Sequence, residues 1–253
     1  MKLFQYLIAM LVLITQCHPV KNEDVKNSEY EQIYIEIEKN DIDAVRKRVL
    51  ADKKILSYIN RCGSPLHHAA RKGSFEIVKI LVELGADIRI QDSHSSTPLF
   101  SAVADRRYDM VRYFLLKGSD PNGTNGNAFL LDKATQNNDL KMMKLLLEFG
   151  ADVNYVASVD KNNALHTAVT GNHLELVKFL IDQKINVNQV NVMGTPLFYA
   201  VETNNLEIVK ELLKAGADIH LKSAYKGSAR ENAKDWKRAE VLKLFSEYSK
   251  YSL

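Results

Sequence analysis

Apolar residues recur in pairs, one helical turn apart, at five places along the chain. In each place two adjacent apolar residues are followed, after two intervening positions, by two more. This spacing collects the apolar side chains on one stripe of an α-helix and leaves the opposite face polar. The stretches begin at Ile77, Met110, Met142, Leu176 and Ile208. They predict short amphipathic helices that need neighbours to bury their apolar stripes.

A second motif lies ahead of each of these helices. It reads S-P-L-H at residues 64–67 and T-P-L-F at residues 195–198. Counted from the proline position, the copies start at Pro65, Pro98, Leu130, Ala164 and Pro196, with steps of 33, 32, 34 and 32 residues. Proline in the first turn of a helix loses no amide hydrogen bond, so the motif predicts the start of another helix. The repeating unit is therefore expected to be two short antiparallel helices and a protruding turn.

Glycine and asparagine mark where the predicted helices end. Both residues enter the left-handed backbone region at low steric cost, so they suit the C-terminal cap of a helix. The first helices are predicted to end at Asn40, Gly73, Asn138, Asn172 and Asn204, and the second helices at Gly85, Gly118, Gly150 and Gly216. Arg106 and Lys237 stand where a Gly or Asn would end the first helix of their repeats. Lys184 stands where a glycine would end the second helix of its repeat, and a strained or differently shaped turn is expected there.

Weaker copies extend the array at each end, over residues 34–49 and 229–245. The T-P-L-H motif followed by G-A-D at this period resembles the ankyrin repeat, over about residues 30–248. The resemblance implies an all-α repeat, an ankyrin-repeat solenoid of about seven helix-pair units with short β-turn fingers. The units are expected near residues 30–62, 63–95, 96–127, 128–161, 162–193, 194–226 and 227–248, with a tail at 249–253. Arg48 and Ser246 replace apolar residues in the end units, which are expected to meet water there.

The amino terminus differs in character from the repeats. Lys2 precedes a run of 12 almost entirely apolar residues, 3–14. Such a run is too short to span a bilayer, which takes about 20 residues, and is typical of a secretory signal peptide. The sequence predicts a signal peptide at residues 1–17 and a flexible linker at 18–29. If Cys17 belongs to the export segment, Cys62 has no intramolecular disulfide partner in the mature chain.

The end of the signal peptide allows two outcomes. Residues 14–17, I-T-Q-C, resemble a bacterial lipobox, in which the cysteine carries a lipid. The resemblance implies lipidation at Cys17. Gln16 departs from the small residue that the motif prefers, so cleavage near Cys17 that releases a soluble protein stays open.

Composition and motifs argue against catalysis and nucleic-acid binding. A net charge of +3 on 253 residues is mild, whereas nucleic-acid binding needs a concentrated basic surface. No nucleophile elbow, zinc-protease motif or phosphate-binding loop is present in the sequence. The resemblance implies that His67 and His166 bond within their turns and to the next unit, rather than to a metal. We therefore expect no enzyme, no cofactor and no metal site.

Ankyrin proteins bind partners through the exposed ends of the first helices and the tips of the turns. Carried onto this sequence, the helix positions are Arg71, Lys72, Asp105, Gln136, Asn137, Thr170 and Glu202. The turn positions are Gln91, Asp92, His94, Tyr155, Asp160, Gln189, Asn191, Met193 and Tyr225. Tyrosine and methionine suit such a surface because they cover a large area at low ordering cost.

These features favour a protein-binding module in the bacterial envelope, exported to the periplasm and monomeric when unbound. The resemblance implies binding and neutralisation of a toxin or an enzyme, as an immunity or inhibitor protein. Contact with the membrane is expected only through a lipid on Cys17. Two alternatives stay open: an ankyrin effector secreted to act on host proteins, and a periplasmic chaperone-like partner of an enzyme.

Overall fold

The computed structural model describes residues 25–248, apart from Gly73, Gly126, Asn127, Ser158 and Val159, and describes side chains from residue 30 onward. The predicted signal peptide, residues 18–24 of the predicted linker and the tail lie outside the described residues. Among the described residues, a helix begins at Val25, within the segment predicted as a linker. Within the described part, no helix has the length and apolar character needed to cross a membrane.

The chain divides into two compact units, residues 1–119 and 120–253, and each is described by itself. The first unit contains α1 (Val25–Glu38), α2 (Ile42–Ala51), a 3-10 helix (Lys53–Ser57), α3 (Pro65–Lys72), α4 (Phe75–Glu83), α5 (Pro98–Ala104) and α6 (Tyr108–Leu116). Helix α3 packs against α1 on one side and α5 on the other, while α4 packs against α2 and α6. This is the stacking of helix pairs that the repeat predicts.

The second unit repeats the arrangement with four helix pairs. They are α7 (Leu130–Gln136) with α8 (Leu140–Glu148), α9 (Ala164–Thr170) with α10 (Leu174–Asp182), α11 (Pro196–Glu202) with α12 (Leu206–Lys214), and α13 (Ala229–Asp235) with α14 (Ala239–Tyr248). First helices pack on first helices, from α7 through α9 and α11 to α13. Among the described residues the β-structure amounts to isolated bridges, Asn60 with Gly63 and Thr124 with Phe129.

The apolar stripes of the second helices form the core. Ile77, Val78 and Leu81 are fully buried in the first unit, and Leu176, Val177 and Leu180 are fully buried in the second. Hydroxyl and amide side chains cap the first helices: the Thr195 hydroxyl accepts a hydrogen bond from the Phe198 amide at 3.1 Å. The predicted buried stripes are confirmed, and Pro98 and Pro196 lie in the first turn of their helices as predicted.

The helices end at the predicted Asn and Gly positions. Asn40, Asn138, Asn172 and Asn204 all have positive φ, between 50° and 59°. Arg106 and Lys237 take the same conformation, at 57° and 55°, although neither suits it. Lys184 has φ of 64°, so this turn keeps the left-handed conformation of the others and carries the steric cost of a side chain.

The side chain of Arg48 is 29% exposed, so it reaches water as expected for an end unit. Its guanidinium also makes a two-pronged ion pair with Glu36, with Nε 2.8 Å from Oε2 and Nη2 2.5 Å from Oε1. The Glu36 residue is only 7% exposed. A charge replaces a leucine at this position of the repeat because a buried carboxylate on α1 neutralises it.

Candidate protein-binding surface

Short polar side chains close the fingers between neighbouring helix pairs, and in several fingers the side chain is an aspartate or an asparagine. In one finger the Asp92 carboxylate accepts hydrogen bonds from the His94 amide at 2.8 Å and the Ser96 amide at 3.0 Å. In another, the Asp160 carboxylate accepts from the Asn162 amide at 3.0 Å. These side chains hold a tight turn, as short polar residues commonly do. Asp92 and Asp160, both predicted to contact a partner, therefore also shape the fingers.

Asn191 has the same role and is buried, with 7% exposure. Its side-chain oxygen accepts from the Met193 amide at 2.8 Å and the Gly194 amide at 2.7 Å. Its side-chain nitrogen donates to Asn162 at 2.5 Å and to the Tyr199 hydroxyl at 3.0 Å. Because the amide group of Asn191 is hydrogen-bonded within the protein, Asn191 is not accessible to a partner. Its role is to hold the shape of its finger.

Several predicted helix-end residues are tied to the scaffold. The half-buried guanidinium of Arg71 donates to the Cys62 carbonyl. The Gln136 side chain donates to Asp132 at 2.7 Å, and the Thr170 hydroxyl donates to the His166 carbonyl at 3.0 Å. The exposed Lys72 lies 3.6 Å from the Glu38 carboxylate. The backbone carbonyl of Glu202 accepts from Arg238 at 3.0 Å, whereas its side chain is exposed.

Exposure separates the predicted contacts into two groups. The exposed side chains are Lys72, Gln91, His94, Asp105, Gln136, Thr170, Met193, Glu202 and Tyr225. The half-buried ones are Arg71, Asp92, Asn137, Tyr155, Asp160 and Gln189. The fingers supply the exposed large apolar side chains of this set, with Met193 41% and Tyr225 75% exposed.

Asp132 is a site feature that the sequence patterns do not reveal. It lies on α7 at the position that His67 and His166 hold in their repeats, and it is 7% exposed. The Thr167 hydroxyl on α9 and the Gln136 side chain both donate to its carboxylate. Burial raises the pKa of Asp132, while the two donors act in the opposite direction. The sequence feature that could have indicated this residue is the aspartate in L-L-D, residues 130–132, at a position where two other repeats have histidine.

The two motif histidines have the structural roles that the family resemblance implies. The His67 ring accepts at Nδ1 from the Ser64 amide, 3.1 Å away, and donates from Nε2 to the Ser96 carbonyl at 2.7 Å. His166 spans its own turn and the Gly194 carbonyl in the same way, at 3.3 and 3.4 Å. Burial lowers the pKa of His67, and it lowers the pKa of His166 to about 4.

His68 is buried without a hydrogen bond at either ring nitrogen. Its Nε2 lies 3.3 Å from the Glu38 carboxylate, close enough for attraction but without the direction that a hydrogen bond requires. Burial lowers the pKa of His68 to about 4, so its ring is neutral at pH 7. Among the described residues, no group of three His, Cys, Asp or Glu side chains is placed to hold a metal ion.

Cys62 corrects one expectation. It is 7% exposed and disulfide-bonded, whereas the sequence predicted no intramolecular partner for it in the mature chain. The other cysteine of the chain, Cys17, lies outside the described residues.

Stacked helix pairs, capped fingers and bridging histidines define an ankyrin-repeat protein. A family model for ankyrin repeats (3 copies) matches residues 33–125 and 131–223, so the chain belongs to the ankyrin-repeat family. Ankyrin repeats are scaffolds for protein–protein interaction and are generally not catalytic.

Individual relatives share this architecture. The chain is 34% identical to alpha-latrotoxin-Lg1a of Latrodectus geometricus over 184 residues, which are 71% of this chain and 13% of the toxin. It is 32% identical to the ankyrin repeat protein YahD of Escherichia coli (strain K12) over 186 residues, 70% of this chain and 91% of that protein. Among solved structures, the ankyrin repeat domain of Bcl-3 matches with a TM-score of 0.71 and 25% identity, covering 83% of this chain and 97% of that domain.

Proposed function

We propose that the protein works in the bacterial envelope, where its ankyrin surface binds and neutralises a toxin or an enzyme. One combination carries this proposal: an export-type amino terminus precedes a repeat scaffold whose finger tips and helix ends are exposed. Repeat scaffolds use extended surfaces, not enclosed pockets, to bind other proteins. Covering the working surface of a partner is therefore a natural mode of inhibition for this chain.

Two further observations support the proposal, the first for an oxidising compartment and the second for a bacterial setting. Disulfides persist in oxidising compartments such as the periplasm, and Cys62 is disulfide-bonded. The likeness to YahD extends over most of that bacterial protein. In this setting the free chain is a monomer, and it would be attached to a membrane only if Cys17 carried a lipid.

A second candidate function, an effector secreted to act on host proteins, draws support from Cys62. The chain contains two cysteines, and a lipid thioether uses the sulfur of Cys17 that a disulfide would need. A disulfide at Cys62 thus favours release over lipid attachment. Release suits a secreted effector as well as a soluble periplasmic inhibitor.

Capture followed by an activity assay tests the proposal. The exported chain, tagged at its carboxyl end, is recovered from envelope fractions, and proteins bound to it are identified and purified. We expect a specific partner whose enzymatic or toxic activity falls to near zero at equimolar chain. The same capture from cytoplasmic fractions is the control.

Three other outcomes would contradict neutralisation. A captured enzyme that keeps its activity would indicate the chaperone-like role instead. Specific capture from host extracts alone would indicate the effector role. Recovery of no specific protein from the envelope would reject an envelope partner.

A further inference from the structure

Exposed apolar side chains are concentrated on two neighbouring fingers of the second unit, residues 189–194 and 222–227. Val192 is 40% exposed, Met193 41% and Tyr225 75%. Single exposed apolar residues are ordinary on a protein surface, whereas a group of them marks a contact site. We call Val192, Met193 and Tyr225, with the flanking Lys161 and Lys226, the finger patch.

Hydrogen bonds join the fingers that carry the patch. The Ser223 hydroxyl donates to the Met193 carbonyl at 2.8 Å. The Val192 amide donates to the Asp160 carbonyl at 3.2 Å, which ties the finger to the one before it. These bonds set Met193 beside the second finger and Val192 beside Lys161. These bonds therefore place the residues of the patch on adjoining fingers.

Each finger of the patch is also closed internally. Asn191 holds the amides of Met193 and Gly194, and the Ser223 hydroxyl accepts from the Lys226 amide at 3.0 Å. Loops that are already ordered lose little conformational entropy when a partner binds. Tyrosine and methionine on such rigid loops are well suited to anchor an interface.

Two lysines without an ion-pair partner among the described residues flank the patch. Lys161 and Lys226 are exposed and form no ion pair within the described part of the chain. The nearby Lys222 is already paired with Glu231, at 2.6 Å. The Asp160 carboxylate is turned to its own finger, where it accepts from the Asn162 side chain at 2.5 Å. The two free ammonium groups favour carboxylates on whatever docks there.

We propose that the finger patch is the main anchor point for the protein partner, and that the docking segment presents apolar side chains flanked by carboxylates. This inference rests on the proposed binding function and specifies the chemistry of its partner. The apolar side chains cover Val192, Met193 and Tyr225, and the carboxylates meet Lys161 and Lys226. A positively charged segment meets two like charges instead, which disfavours it.

Binding of defined peptides to the exported full chain tests the patch. The probes are three labelled peptides of equal length: Glu alternating with Leu and Phe, Lys alternating with Leu and Phe, and Glu alternating with Gly and Ser. We expect the first to bind at least about tenfold more tightly than either other peptide, because it satisfies both parts of the patch. Its affinity is expected to fall as salt rises.

Variants assign the binding to the patch. Met193→Ser with Tyr225→Ser, and separately Lys161→Ala with Lys226→Ala, are each expected to weaken the acidic apolar peptide about tenfold or more. Leu116→Ser and Lys178→Ala are matched controls, because both residues are exposed and lie on second helices. The controls are expected to leave affinity unchanged, and unfolding midpoints confirm that all variants fold.

Several results would overturn the inference. These are no binding of the acidic apolar peptide, equal binding of the basic peptide, or equal loss in the controls. Self-association abolished by the patch variants would identify a second copy of the chain as the occupant instead. If the patch variants still capture the wild-type envelope partner, the patch fails while the proposed function stands. If the peptide binds but no envelope partner is captured, the proposed function fails while the patch stands.

Discussion

Lys184 shows how a single backbone angle contributes to stability. It occupies the turn position that Gly150 and Gly216 hold in neighbouring repeats, and its φ of 64° matches theirs in sign. A side chain in the left-handed region costs about 1 kcal/mol. Glycine avoids that cost, although it adds entropy to the unfolded chain.

Lys184→Gly is expected to raise the free energy of unfolding by up to about 1 kcal/mol. Gly216→Ala is the matched control: an added Cβ there meets no atom within 4 Å, so only backbone strain acts, and stability should fall. Urea unfolding followed by circular dichroism measures both. A loss of stability in Lys184→Gly would show that the lysine side chain contributes more than its backbone costs.

His166 predicts how the second unit responds to acid. Its folded-state pKa, about 4, lies below the ordinary value of 6.5, so the folded protein favours the neutral ring. The stability that this ring contributes is fully present above pH 6.5 and is lost as the pH falls toward 4. At about 1.4 kcal/mol per pKa unit, the loss amounts to about 3 kcal/mol.

The variant His166→Gln should show a smaller decline in unfolding free energy between pH 6.5 and 4 than the wild type, although it is less stable at pH 7. His67 and His68, whose pKa values are also lowered by burial, continue to titrate in the variant. Urea unfolding across this pH range provides the comparison. Parallel pH profiles for the two proteins would contradict the buried, neutral state of His166.

At the scale of elements, asparagine side chains link each repeat of the second unit to the next. The side-chain oxygens of Asn122, Asn154 and Asn188 accept from the backbone amides of Asp152, Asn186 and Asp218 at 2.7, 2.7 and 2.8 Å. Each bond spans one repeat, so the series joins the turns of successive repeats. Exposed bonds of this kind are worth about 1 kcal/mol or less each.

Asn154→Ala removes one member of this series. We expect a loss of about 0.5–1 kcal/mol in unfolding free energy and faster hydrogen exchange at the Asn186 amide. The Asp218 amide, held by Asn188, is the internal control and should exchange at its wild-type rate. Equal acceleration at both amides would mean that the whole unit loosens and that the bonds do not act separately.

The helix pairs were predictable because their signals are local. Apolar spacing marks the buried stripe, proline marks a helix start, and Gly or Asn marks a stop, each within a few residues. The Glu36–Arg48 pair, the buried Asp132 and the asparagine series were missed because each depends on a partner in another helix or repeat. Asn191 was misplaced for the same reason: exposure of a finger residue depends on which neighbours its side chain contacts.

For the whole molecule, the mature amino terminus decides between attachment and release. A lipid at Cys17 and a disulfide through that sulfur exclude one another, and Cys62 is disulfide-bonded. Mass spectrometry of the exported chain, before and after reduction, distinguishes the two. We expect a mass without any added acyl group. Reduction should raise the mass of the chain by about two hydrogen atoms, one for each sulfur of the disulfide. An acylated Cys17 with a Cys62 thiol would contradict release and restore membrane attachment.

We expect the exposed fingers and first-helix ends to bind another protein. Amide hydrogen exchange of the exported chain, with and without the partner captured from envelope fractions, measures this binding residue by residue. Exchange should slow in the fingers at residues 155–162, 189–194 and 222–227, with α8 and α10 unchanged. Protection confined to α8 and α10, or no protection at saturating partner, would contradict it.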